Sequence, residues 1–237
     1  MLSSSNLSTK LLVITPAFNE EANIASVVRE VRDKLAPAAH LVVDDCSTDG
    51  TAGAARAAGA LVASLPVNLG IGGAVQTGFI YALEYGFDCA VQVDGDGQHD
   101  PADALALIRR LEKRDADVVI GSRFLEGGGG YANRARKTGI SLLSRTVSSV
   151  SGVLVTDATS GLRAYNRGAM KYLSGNYTMN YPEPDSIINL ASAGFKIVEV
   201  PVGIRDRKSG SSSITVPLGV SYVAKVLICS MAHAFRR

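Results

Sequence analysis

Apolar and polar positions alternate along this chain in blocks. Short apolar runs end abruptly in acids, glycines or serines, and longer stretches with helical apolar spacing follow them. Leu11 to Thr15, closed by Pro16, predicts a first buried strand. Ala22 to Leu35 carries Ile24, Val27, Val28, Val31 and Leu35 on one helical face. Leu41 to Val43 predicts a second strand and Thr51 to Ala58 an alanine-rich helix. Leu61 to Ser64 predicts a third strand, and the stretch from Asn68 to Ala74 leads into a helix ending near Tyr85. Cys89 to Val93 predicts a fourth strand, followed by a helix from Ala102 to Glu112. Further strands are expected at Asp117 to Ile120, in a short run carrying Arg163, and at Phe195 to Val202. Helices are expected from Thr138 to about Val150 and from Ser186 to Ala193, the latter closed by Gly194. This order predicts one α/β domain with a mostly parallel, Rossmann-like sheet flanked by helices.

From Ile214 to Phe235 there is a single charge, Lys225, and Val220, Val223, Val226, Leu227, Met231 and Phe235 follow helical spacing. With its basic end, Arg236-Arg237, the segment reads as an interfacial amphipathic helix. A core-packed helix and a membrane span are the alternatives, the span weakened by Lys225 and the short uninterrupted run.

Composition narrows the class. The chain has 237 residues, enough for one domain with a substantial core, and no long low-complexity tract. A formal net charge of +2 makes no case for nucleic acid. Cys46, Cys89 and Cys229 lie far apart and form no ligand pair, which favours buried thiols and a reducing cytoplasm. Met1 to Lys10 is polar and lacks the apolar core of a signal peptide. Gly127 to Gly130 predicts a loop.

The chemistry concentrates after the fourth strand, in Asp94-Gly95-Asp96-Gly97-Gln98-His99-Asp100-Pro101. Two residues apart in extended backbone, Asp94 and Asp96 point the same way, and their repulsion is relieved by a cation. A hard ion such as Mg2+ or Mn2+ takes oxygen ligands and accepts substrate phosphates among them, and Gln98 offers a neutral oxygen. The bland alternative is an acidic turn capping the helix that starts near Pro101. Other strand ends carry polar residues too: Asn19 and Glu20 after the first, Asp44 and Asp45 after the second, and Arg123 after the fifth. In α/β folds this edge of the sheet is where ligands bind. Arg123 matches phosphate in geometry and charge. The basic, small-residue stretch Arg205 to Ser213 can wrap phosphate through side chains, hydroxyls and backbone N–H groups. Glu183 and Asp185 stand at a helix N-terminus, where acids are favourable whatever the chemistry.

The Asp-Gly-Asp-Gly-Gln-His-Asp-Pro stretch resembles the signature of glycosyltransferase family 2, in its polyprenol-phosphate hexosyltransferase branch. The resemblance extends from about residue 10 to 213 through further blocks: Pro16-Ala17-Phe18-Asn19-Glu20, Val43-Asp44-Asp45 with Ser47 and Asp49 to Thr51, Asn68-Leu69-Gly70-Ile71-Gly72-Gly73, Gly121-Ser122-Arg123, Thr159-Ser160-Gly161-Leu162-Arg163, and Arg205 with Gly210 and Ser211. It implies an A-type glycosyltransferase fold, with a flexible segment 1–9, a catalytic domain 10–213 and a C-terminal helix 214–237. It also implies metal-dependent, inverting transfer of a hexose from a UDP- or GDP-linked sugar to a polyprenyl phosphate or lipid-linked glycan, in cell-envelope synthesis at the inner face of the cytoplasmic membrane. Asp94, Asp96 and Gln98 would hold the metal. Pro16, Ala17, Asn19, Glu20, Asp44, Asp45, Asn68, Gly72, Gly73 and Asp94 would contact the sugar nucleotide. Arg123, Ser160, Arg163, Arg205 and Ser211 would contact phosphate or acceptor. Asp96, Glu183 and Asp185 are the catalytic candidates. If the acceptor is instead a sugar hydroxyl, Glu183 is the candidate base. A nucleotidyltransferase and a non-catalytic sugar-nucleotide-binding module are the readings from other classes. An oligomer is compatible with the sequence.

Overall fold

A computed structural model of the chain describes residues 10–125, 134–178, 182–203 and 205. Seven strands form one sheet in the order β3-β2-β1-β4-β6-β5-β7. They are β1 (Leu11–Ala17), β2 (Ala39–Asp44), β3 (Leu61–Ser64), β4 (Cys89–Gln92), β5 (Val118–Ser122), β6 (Arg163–Asn166) and β7 (Ile197–Pro201). All neighbours run parallel except β6, which is antiparallel to both β4 and β5. The central strands β1, β4 and β5 are buried on both faces, which explains why they read as continuous apolar runs. The edge strand β3 is half open.

Helices cover both faces. On one lie α3 (Gly70–Glu84), α5 (Arg134–Ser151), α6 (Arg167–Asn176) and α7 (Pro182–Ser192), packed over Leu12, Ile14, Leu41, Val43, Ile120 and Tyr165. On the other lie α1 (Glu21–Leu35), α2 (Thr51–Ala57) and α4 (Pro101–Glu112). Leu11, Val13, Val91 and Val93 meet α1 and α4, while Val42 meets α1 and α2. Asp100 caps α4 by accepting from the Ala102 N–H at 2.8 Å, with Pro101 in the first turn. Asn166 caps α6 in the same way, accepting from the Ala169 N–H at 2.8 Å.

Two features depart from the sequence reading. Helix α6 fills a stretch in which the sequence reading expects no element. Strand β4 stops at Gln92, so Asp94 lies in the link beyond it and Asp96 on the turn that follows, and the strand alternation that aligned them does not apply. The glycine run 127–130, the C-terminal segment 214–237 and Ser211 lie outside the described residues. Among the described residues no helix is long and apolar enough to cross a membrane.

Candidate active site

β1, β2, β4 and β5 end on the same side of the sheet, and β6, being antiparallel, begins there. Register places Arg163 opposite Gln92 on one side and Ile120 on the other. One arginine thus stands between the two strand ends that carry Asp94 and Arg123.

The first part of this edge is a pair of loops tied together. Asn19, in the left-handed region at φ 54°, accepts the Thr48 N–H at 2.9 Å, and its own N–H donates to the Ser47 hydroxyl at 2.9 Å. The Glu20 N–H donates to Thr51 Oγ1 at 2.8 Å, and the Gly50 N–H to Glu21 Oε2 at 3.0 Å. Glu20 Oε2 accepts from Asn23 Nδ2 at 2.7 Å. Pro16 and Ala17 are the buried end of β1. Asp44 and Asp45 are buried, and Asp45 Oδ1 accepts the Leu69 N–H at 2.7 Å. Asn68 Nδ2 donates to the Asp45 carbonyl at 3.1 Å. Asp45 therefore fixes the start of α3. Gly72 and Gly73, expected to contact the sugar nucleotide, lie buried inside that helix.

The second part is the turn after β4. Gly97 takes φ +74°, which allows the chain to fold back and Asp96 Oδ1 to accept the Gln98 N–H at 3.0 Å. Asp94 is half-buried. Its Oδ1 accepts from Gln92 Nε2 at 3.3 Å, and its Oδ2 lies 3.5 Å from the buried His99 Nε2. Burial alone would raise the Asp94 carboxyl. The His99 hydrogen bond and charge, Gln92 and the Arg123 charge outweigh it and hold Asp94 below the ordinary carboxylate range. Gly161 presses on this carboxylate: a Cβ there would stand 2.6 Å from Oδ1 and 2.8 Å from Cγ.

The arginines do not converge as exposed side chains. Arg123 forms a buried bidentate pair with Asp157, Nε and Nη2 meeting the two carboxylate oxygens at 2.6 and 2.7 Å. Arg163, 1% exposed, donates to the carbonyls of Ser160, Glu183 and Ala158 at 2.7, 2.9 and 3.0 Å and to Ser186 Oγ at 2.9 Å. The expected phosphate contact of Arg163 meets this geometry as a correction, because its donors already bind the chain and it pins α7 against the loop holding the buried Ser160. Arg205 pairs with Glu30 Oε2 at 2.6 Å and with Asp100, and its N–H donates to the Gln98 carbonyl at 2.9 Å.

Glu183 and Asp185 occupy the first turn of α7 and are half-buried. Burial pushes the Glu183 carboxyl up; Arg163 opposes this, and the negative charge of Asp94 adds to it. Glu183 and Asp94 thus share one electrostatic environment. Asp157, Gln92, His99 and Gly161 were not picked out as site residues. For Asp157 the signal is its place two residues before the Thr-Ser-Gly-x-Arg stretch; for His99, its place in the acidic signature.

Among the described residues, no three His, Cys, Asp or Glu side chains gather as a complete metal cage. The donor set after β4 is two carboxylates with an amide. That set fits an ion such as Mg2+ or Mn2+, which binds through one or two carboxylates and takes remaining ligands from water and substrate phosphates.

A model of "Glycosyl transferase family 2" matches residues 12–173. The chain is 33% identical over 215 residues to undecaprenyl-phosphate mannosyltransferase of Micrococcus luteus, covering 87% of this chain and 88% of that protein. It is 33% identical over 223 residues to polyprenol monophosphomannose synthase of Mycolicibacterium smegmatis, covering 87% and 81%. It is 29% identical over 247 residues to a UDP-N-acetylglucosamine–dolichyl-phosphate N-acetylglucosaminyltransferase of Methanococcus voltae, covering 93% and 96%. Among solved structures, glucosyl-3-phosphoglycerate synthase of Mycobacterium tuberculosis, crystallised with Mn2+, UDP and glucosyl-3-phosphoglycerate, superimposes with a TM-score of 0.72 at 21% identity, covering 94% of this chain and 79% of that one.

Proposed function

The chain belongs to glycosyl transferase family 2 and has the A-type glycosyltransferase fold, and from that premise we propose that it moves a hexose from a UDP- or GDP-linked sugar to a polyprenyl phosphate. The observation that carries the reading is Asp94: an ionised carboxylate at the carboxyl edge of the sheet, beside a second acid, with Arg123 and Glu183 in its field. The acceptor class is supported by relatives named for undecaprenyl-phosphate, polyprenol and dolichyl-phosphate, each matched over most of its length.

Asp94, Asp96 and Gln98 are assigned to hold Mg2+ or Mn2+ against the donor diphosphate; the fold neighbour was crystallised with Mn2+ and, separately, with Mg2+. When bound, such an ion supplies neutralisation of the charge that develops on the departing diphosphate. Arg123 adds a fixed positive charge at the end of β5. The knitted loops of Asn19, Glu20, Asp44 and Asp45 hold the nucleoside end. Glu183 and Asp185, at the start of α7, face the sugar and the incoming acceptor. A phosphate acceptor is already anionic and attacks the anomeric carbon from the face opposite the leaving group, inverting it, without a general base.

A second reading has one observation in its favour. Glu183, pushed up by burial and by Asp94, is tuned as a general base would be, and a base is what a sugar hydroxyl acceptor requires. Nucleoside-diphosphate release from a donor panel, measured with and without polyprenyl phosphate, tests both readings. Stimulation by the lipid phosphate supports the first. Release stimulated only by hydroxyl acceptors replaces it with the second.

A further inference from the structure

Arg123 is held by a chain of contacts that begins on the neighbouring strand, β7. Glu199 lies on β7, opposite Ile120 of β5. Its Oε2 accepts the Thr156 N–H and the Thr156 hydroxyl, each at 2.8 Å, and its Oε1 accepts the Asp157 N–H at 2.9 Å. The Thr156 hydroxyl also lies 2.6 Å from the Ser122 hydroxyl, which stands immediately before Arg123. Asp157, fully buried, then receives the Arg123 guanidinium on both oxygens and the Arg123 N–H at 3.2 Å. Thr159 Oγ1 accepts from Arg123 Nη2 at 2.9 Å.

A buried ion pair of this kind is a poor source of net stability, because desolvation offsets the attraction. Its geometric consequence is larger. The bidentate fork leaves the guanidinium little rotational freedom, and the backbone carrying Asp157 is itself fixed by one carboxylate that accepts three hydrogen bonds. The same loop continues through Ala158, whose N–H donates to Ser144 Oγ at 3.0 Å, to Gly161 against Asp94. An acid in the otherwise apolar strand Ile-Val-Glu-Val-Pro is costly to bury, and here its carboxylate serves the backbone of residues 156 and 157 and the Thr156 hydroxyl.

We propose that Glu199 and Asp157 are positioning residues for sugar transfer: Glu199 sets the 156–157 backbone, Asp157 orients Arg123, and Arg123 presents its charge to the phosphate bound at the carboxyl edge of the sheet. The proposal rests on the glycosyltransferase reading for its substrate and on hydrogen-bond geometry for its mechanism. Arg123 follows β5 at the same edge of the sheet at which Asp94 follows β4, with Arg163 at the start of β6 between them.

A double-mutant cycle tests it in the full-length protein. Glu199→Ala is expected to lower kcat/KM for the nucleoside-diphosphate sugar by tenfold or more. In an Arg123→Lys background the same change is expected to cost less than twofold, because the relay no longer has its fork to orient. Glu199→Gln, which keeps an acceptor oxygen, is expected to recover part of the loss. If Glu199→Ala fails to fold, Thr156→Val replaces it in the cycle. Additive losses, or wild-type kcat/KM in the single variant, overturn the proposal. A second readout needs no turnover: the Nε–H resonance of Arg123 in 15N NMR, protected by the Asp157 fork, is expected to lose protection in Glu199→Ala. An unchanged resonance overturns the relay. A wild-type chain that turns over no sugar nucleotide, yet shows the resonance change, overturns the glycosyltransferase reading and leaves the relay standing.

Discussion

Replacing Gly161 by alanine puts a methyl group into the Asp94 carboxylate. Gly161 does not occupy the left-handed region, so alanine brings no backbone strain of its own and the effect is steric. The added carbon would stand 2.6 Å from Oδ1 and 2.8 Å from Cγ. Ordinary contact begins near 3.4 Å and Oδ2 would be nearer than either of these atoms, so one side must retreat by roughly 1 Å. The loop resists, because Arg163 holds the Ser160 and Ala158 carbonyls at 2.7 and 3.0 Å. Asp94 therefore moves, and its contacts to Gln92 and His99 weaken. Overpacking of this size costs about 1–3 kcal/mol of stability. Misplacement of a catalytic group by about 1 Å costs on the order of 100-fold, so kcat/KM for the donor should fall 10- to 100-fold. The assay is steady-state kinetics across a Mn2+ titration, alongside thermal unfolding. Gly139→Ala on α5, where an added Cβ meets nothing within 4 Å, is the control; it should leave kcat/KM and the metal midpoint at wild type and, inside a helix, keep or slightly raise the melting temperature. Gly161→Ala with wild-type kcat/KM, metal midpoint and melting temperature would refute the placement of Asp94.

Asp96→Asn should abolish turnover while leaving the melting temperature near wild type, and excess chelator should do the same to the wild-type protein; full activity in chelator contradicts the metal assignment. Arg163→Met should destabilise by about 3–5 kcal/mol, because it strips donors from three carbonyls and a hydroxyl in the interior, and urea unfolding will read this. Buried His40, with Nε2 2.9 Å from the Thr15 hydroxyl, has its pKa lowered from 6.5 to about 4 by burial. Its depressed folded value means that its contribution is fully present above about pH 6.5 and is lost as pH falls toward 4. The loss should reach about 3 kcal/mol, seen as a urea midpoint falling more steeply in wild type than in His40→Gln; equal slopes would refute it. Glu183→Gln should leave transfer to polyprenyl phosphate within a few fold of wild type. A loss of about 100-fold or more would instead mark Glu183 as a general base and the acceptor as a hydroxyl.

Most of the architecture was legible because buried strands and amphipathic helices carry opposite periodicities. β1, β3 and α1 fall within two residues of where the apolar pattern puts them. What periodicity does not encode is strand direction. Nothing in Arg163-Ala-Tyr-Asn announces that it runs antiparallel between β4 and β5, and that insertion brings Arg163 to the site. Helix α6 escaped because its start signal, the Asn166 cap, was absorbed into the preceding motif. The polar residues at the strand ends were visible, whereas their partners were not. Arg123 looks like a phosphate ligand in sequence, and only three dimensions show Asp157 already across from it. Glu199 shows why: a long-range acceptor has no local signature beyond being an acid where an apolar residue is expected.

Transfer of a hexose to a polyprenyl phosphate is read directly from the products. The purified chain is incubated with UDP- and GDP-linked hexoses, Mn2+ and undecaprenyl phosphate in detergent, and the lipid fraction is examined by mass spectrometry. A new lipid carrying one phosphate and one hexose is expected, formed with at least one donor and absent with chelator or with Asp96→Asn. Donor consumption with no lipid-linked sugar, the hexose appearing instead on a hydroxyl acceptor or in water, would contradict it.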